Sequence, residues 1–201
     1  HPRAVRRAYE YLRDNPGHLM DVEQWIAGYC QGCLKRFIPH NQPFAERVVA
    51  QFALREQGMT ELFGRVNTLH EENQALNVAL DAWLSSRPLT ADVFFRRQVV
   101  DKIQHCWSLG ISRRLGFEAV SAGPSWRHIS NAGHLDLSGG RLEELPQLPE
   151  SGFAHVQHLD LNNLGMPLDV LDRFLGSFAN VHVLNLSRNG LTSLPTVLRR
   201  L

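Results

Sequence analysis

Three copies of one short pattern, close to the C-terminal end, constrain this chain more than any other feature. They read Leu135-Asp136-Leu137, Leu159-Asp160-Leu161 and Leu184-Asn185-Leu186. Three positions ahead stands an aliphatic residue in the last two (Val156, Val181) and Ala132 in the first. The spacings are 159 − 135 = 24 and 184 − 159 = 25 residues. A self-similar period of this size implies one strand plus a return segment per copy. Copies must then stack, because none can bury its apolar side alone.

The period falls in the range of leucine-rich repeats. Side chains alternate along a strand, so the two leucines of each unit point to the core and their neighbours point out. That assigns nine outward positions: His134, Asp136 and Ser138, then His158, Asp160 and Asn162, then Val183, Asn185 and Ser187. Adjacent strands lie about 4.8 Å apart, which would make neighbours of His134 and His158 and of Asp136 and Asp160. Leu142-Glu143-Glu144-Leu145-Pro146 and Leu191-Thr192-Ser193-Leu194-Pro195 continue two of the repeats and close the core. Asn189 stands where such repeats carry an asparagine that satisfies backbone groups at the turn. Gly140 and Leu164 occupy the equivalent slots, so the middle repeat is irregular and Asn163 is the substitute expected there. Residues 167–178 read as a short helix on the convex side.

The preceding residues are helical in pattern. Residues 2–14 end at Asn15-Pro16-Gly17, a stop signal. Residues 18–37 place Leu19, Val22, Trp25, Ile26, Tyr29, Cys30, Cys33 and Phe37 on one face at three- and four-residue steps. A loop through Pro39 and Pro43 precedes a helix from Phe44 to about Gln57. The next runs from a Thr60 cap to about Ser86, and a further one ends near residue 109. Residues 110–131 read as a linker or a capping excursion. The fold class expected is therefore α+β: an all-helical region over 1–125, with 60–109 capping the repeats. A solenoid of about three leucine-rich repeats, its parallel strands on the concave side, follows over 126–201. The chain stops just after a Leu-Pro motif, which reads as truncation at the C-terminus.

A net charge of +1 over 201 residues argues against general electrostatic binding to nucleic acid. The arginine doublets (6–7, 96–97, 113–114, 199–200) are interleaved with acids and read as solvated faces. No apolar run reaches the length of a membrane span. Three cysteines cannot all pair within one chain, which favours free thiols.

Several sharper chemistries fail on their requirements. Cys30-Gln31-Gly32-Cys33, with His40 beyond, lacks the second ligand pair of a structural zinc site and sits in a helical apolar pattern. Residues 66–80 resemble a zipper seam, but it lasts barely three heptads and no basic region precedes it. The His134/His158 and Asp136/Asp160 pairs carry metal-ligating types, yet a polar partner-binding face explains them more simply. His105 beside Cys106 makes no dyad, since helix neighbours do not face each other. No cofactor and no metal is expected.

The repeats, with Leu145-Pro146-Gln147-Leu148-Pro149 after the first, resemble leucine-rich-repeat effectors and large toxins of Gram-negative bacteria. The closest group carries a C-terminal domain of the novel E3 ubiquitin ligase type. Trp83, Arg96-Arg97, Val99-Val100 and Ile103 leading into Cys106-Trp107 are similar to the helical cap before those repeats. The likeness covers residues 60–201, and residues 1–59 are not anchored by any motif. It implies a module that binds a host target protein, secreted by the bacterium into the host cytoplasm. That family's catalytic cysteine has Asp two positions later. Here Cys30, Cys33 and Cys106 are followed at that place by Gly32, Lys35 and Ser108, so no catalytic residue is expected in this chain. The alternative is the helical part of a bacterial toxin or enzyme domain with structural repeats.

Overall fold

A computed structural model describes residue 14 and residues 19–39, 41–86, 92–117, 133–149 and 152–199. The expected helix at 2–14 lies outside them apart from Asp14, which is helical. So does the expected boundary at 125/126. The chain divides into two compact units, residues 1–70 and 71–201.

In the first unit, helix α1 (Leu19–Phe37) precedes α2 (Gln42–Ala53) and the opening turns of α3 (Gly58–Ser85). The spacing of apolar residues on α1 is what buries Ile26, Cys30, Cys33, Leu34 and Phe37 together. Helix α2 starts where it does because the Asn41 side chain accepts the Phe44 amide at 3.2 Å. Pro43 follows in the first turn, where its missing N–H goes unneeded. Phe44, Val48 and Phe52 are buried as α2 packs on α1. The turn into α3 takes Gln57 to φ 57°, and a Cβ on Gly58 would strike the Phe52 carbonyl. Glycine is therefore required at that corner. Helix α3 starts there rather than at Thr60. Trp25, placed on the apolar face by its spacing, sits at the margin: it is 45% exposed and stacks on Tyr29 with centroids 5.7 Å apart.

The second unit takes the rest of α3, then α4 (Val93–Arg114), β1 (His134–Asp136), β2 (His158–Asp160), α5 (Leu168–Leu175) and β3 (Val183–Asn185). A 3-10 turn follows at Thr196–Arg199. Leu76, Leu80 and Trp83 of α3 and Val99, Ile103 and Cys106 of α4 are all buried. Full burial of a leucine or isoleucine is worth about 1.5–3 kcal/mol, so these two stripes supply much of what holds the helices. Helix α4 continues to Arg114, beyond the expected end near 109, and packs against β1. The strands form one parallel sheet in the order β1-β2-β3.

The expected fold class is corrected here. The chain is mostly helical, with only a small three-stranded parallel sheet, and no leucine-rich-repeat solenoid is evident. Each strand is three residues long. Regular return structure is confined to α5, between β2 and β3; the described part of the β1–β2 connection has none. The inward leucines of β1 and β2 are buried, whereas Leu184, Leu186 and Leu191 around β3 are only half-buried. Leucine spacing aligned three strands but did not generate a stack of equivalent layers. The helices carry most of the buried core instead.

Candidate recognition face

The sheet register pairs His134 with His158 and His158 with Val183. It likewise pairs Asp136 with Asp160 and Asp160 with Asn185. Two rows of predicted outward residues thus come together. The rings of His134 and His158 meet edge to face, with centroids 6.0 Å apart. Asp136, His158, Val183 and Ser187 are exposed, and His134, Ser138, Asp160, Asn162 and Asn185 are half-buried.

The middle row also shapes the backbone. Oδ1 of Asp136 accepts the Ser138 amide at 2.8 Å, and Oδ1 of Asp160 accepts the Asn162 amide at 2.9 Å. Asn185 repeats the contact with the Ser187 amide at 3.1 Å. Each is an Asx turn that bends the chain as it leaves the strand. The bend ends on a left-handed residue each time: Gly139, Asn163 and Arg188 have φ of 120°, 59° and 60°. Asn185 also donates from Nδ2 to Asp160 Oδ2 at 3.0 Å, tying the second and third strands by their side chains. Neither Asp136 nor Asp160 pairs with a lysine or arginine among the described residues. Two like charges on directly opposed positions are mutually unfavourable.

Asn189 binds five backbone groups. Its Oδ1 accepts the amides of Leu164 and Gly165 at 3.0 and 2.9 Å, and its Nδ2 donates to the carbonyls of Leu161 and Leu186 and, at 3.5 Å, of Ser187. The irregular middle copy is thereby served from the third. Asn163, expected as the substitute, supplies the left-handed turn residue.

Arg96 corrects the reading of its doublet as a solvated face. Its side chain is wholly buried, donating to Glu144 at 2.6 Å, to the Trp83 carbonyl at 2.7 Å and to Asp92 at 3.2 Å. Arg97 is exposed as expected. Arg114 is held by Glu72. A groove of about 580 Å³ lies beside the Arg96–Glu144 pair, lined among others by Trp83, Leu148, Arg173 and Phe174.

The thiols are buried and unreactive in setting. Burial, with Cys33 adding to it, pushes Cys30 up to about 12, and burial alone pushes Cys106 up to about 12. His40 lies outside the described residues. Among them, no group of three histidine, cysteine, aspartate or glutamate residues is arranged to hold a metal. The imidazole near Cys106 belongs to His155, 49 positions away, which sequence spacing gave no means to find. No described helix is long and apolar enough to cross a membrane. Comparisons with family models, with curated proteins and with solved structures return no match.

Proposed function

We propose that the outward face of the three-stranded sheet is a protein-recognition surface that selects a target protein for a secreted bacterial effector. The observation that carries this reading is the Asp136–Asp160 pair, two opposed carboxylates without a cationic partner among the described residues. A basic side chain of a partner would neutralise both, and an arginine fork suits paired carboxylates best. Exposed Val183 and the two histidine rings flank the pair and offer apolar contact beside it. The resemblance to ubiquitin-ligase effectors supports placing the chemistry in a separate catalytic domain, with this chain choosing the substrate.

Asp136 and Asp160 also cap turns, so alanine would confound binding with folding. Asp136→Asn together with Asp160→Asn keeps the accepting oxygens and removes the charge. A photo-crosslinking residue at Val183 should capture a host protein from cell extract, and the double variant should abolish that capture. A protein captured equally from a crosslinker at Leu54, or unaffected by the double variant, would overturn the surface assignment. A parent reading frame without a Cys-x-Asp catalytic domain would overturn the ligase part alone.

A further inference from the structure

We propose that His155 is an acid-operated latch, holding α4 to the 152–156 turn while neutral and releasing it when protonated. The imidazole is seated in a notch on the helix. A Cβ on Gly110 would lie 2.4 Å from Cε1 and Nδ1 of the His155 ring, well inside van der Waals contact, so only glycine allows so close an approach. Nε2 lies 2.9 Å from the Cys106 carbonyl, to which it donates, and 3.6 Å from the Cys106 sulfur. Phe153 stacks on the other side at 6.4 Å with a 25° interplanar angle. The residue is 8% exposed, and Nδ1 is buried without a hydrogen-bond partner among the described residues.

This seat accepts one tautomer of the neutral ring and little else. Protonation would add an N–H at Nδ1 with no acceptor there and place a cation against apolar walls. The charges that act on the ring come from α4, the cations Arg113 and Arg114. Glu72 on α3 binds Arg114 at 2.6 Å and offsets part of that charge. The Cys106 thiol, 3.6 Å from Nε2, stays neutral because burial pushes it up to about 12. Burial chiefly, and then the two arginines, bring His155 down to about 4 against the pull of the Cys106 carbonyl. A released His155 returns toward its ordinary 6.5. The open form therefore binds the proton more readily between pH 6.5 and 4. Closure is fully favoured above 6.5 and weakens as pH falls toward 4, about tenfold per unit and roughly 300-fold in all.

Amide hydrogen exchange from pH 7.5 to 4 tests the latch in the intact chain, corrected for intrinsic exchange. Protection of residues 104–114 and 152–158 should fall together below pH 6.5, ahead of α1, and recover on return to pH 7.5. His155→Gln keeps a donor for the Cys106 carbonyl and should flatten that pH dependence. An unchanged dependence in the variant would overturn the proposal. Should the variant not fold, imidazole NMR of the unaltered chain decides. A His155 midpoint between 4 and 6.5, with protection of the same residues falling over that range, supports the latch. A midpoint near 6.5, or one near 4 with protection intact, overturns it.

Discussion

The guanidinium of Arg96 lies 4.5 Å from the centroid of the Trp83 ring while its Nη1 donates to the Trp83 carbonyl, so a single tryptophan receives the arginine by ring and by backbone. Glu144, from the segment after β1, closes the remaining side at 2.6 Å. The pair thus joins the end of α3, the start of α4 and the loop behind the sheet. Arg96 is the buried member of the pair and Glu144 is half-exposed, so the cost of Arg96→Met comes from the Trp83 carbonyl, which loses its charged donor, and from lost packing on the Trp83 ring. Arg96→Met should cost about 2–3 kcal/mol in urea unfolding. Glu144→Gln, at a half-exposed site and with an acceptor retained, should cost about 1 kcal/mol. Similar losses for the two would mean that the charge of Glu144, rather than burial of Arg96, dominates.

Which of these features were legible beforehand follows from the range of the interactions that make them. Apolar periodicity is local, and it locates α1 through α5, although α2 ends at Ala53 rather than near Gln57 and α4 at Arg114 rather than near 109. The Leu-x-Leu spacing implies the strand register, which is why it sets His134 beside His158. Stacking into a solenoid depends on whether the returns are alike and whether the last leucines are covered, and neither follows from a period. Arg96 looked like half of a solvated doublet because Glu144 is 48 positions away and Trp83 is 13. His155 was invisible for the same reason. Its seat is formed by a glycine on α4, and no spacing rule links position 110 to 155.

Asn189 offers a second test, because its five backbone contacts join the second and third strand turns. Asn189→Ala removes the partner of the Leu164 and Gly165 amides and of the Leu161 and Leu186 carbonyls, while the Ser187 carbonyl keeps the Asn163 amide, and it should lower stability by about 2 kcal/mol, allowing some to be recovered by water. Asn189→Asp keeps the acceptor for Leu164 and Gly165 but turns a carboxylate oxygen toward three carbonyls. It should therefore be no better than alanine at neutral pH. Chemical denaturation of both variants checks the order, and an aspartate variant as stable as the parent would refute this role for the amide nitrogen.

Two helical glycines should respond in opposite directions to the same change. Gly64 on α3 is exposed, and a Cβ there meets nothing within 4 Å. Gly64→Ala should stabilise by about 0.5–1 kcal/mol by lowering the entropy of the unfolded chain. Gly110→Ala drives a methyl into the His155 ring and should cost about 3 kcal/mol or more, the upper range of overpacking. Thermal unfolding of the two variants is sufficient to check this. The second should also raise hydrogen exchange in residues 152–158, since the added methyl displaces the imidazole from the Cys106 carbonyl.

The thiols provide the last prediction. Cys30 and Cys106, both pushed up to about 12, are fully or nearly fully buried. Only a thiolate attacks a disulfide reagent. At pH 8 a thiol with a pKa near 12 is ionised to about one part in ten thousand. Labelling of the native chain should therefore be limited by opening of the fold. Cys106 should react at a rate set by the α4 opening, and Cys30 by opening of the first unit. Adding 6 M guanidinium should bring all three cysteines to modification within minutes. Mass spectrometry of peptides resolves each site over time. Fast labelling of Cys106 in the native chain would show that its contact with His155 is far more open than a 2.9 Å bond to the Cys106 carbonyl implies. That same result would also weaken the latch, because a seat already open at neutral pH has nothing for a proton to release.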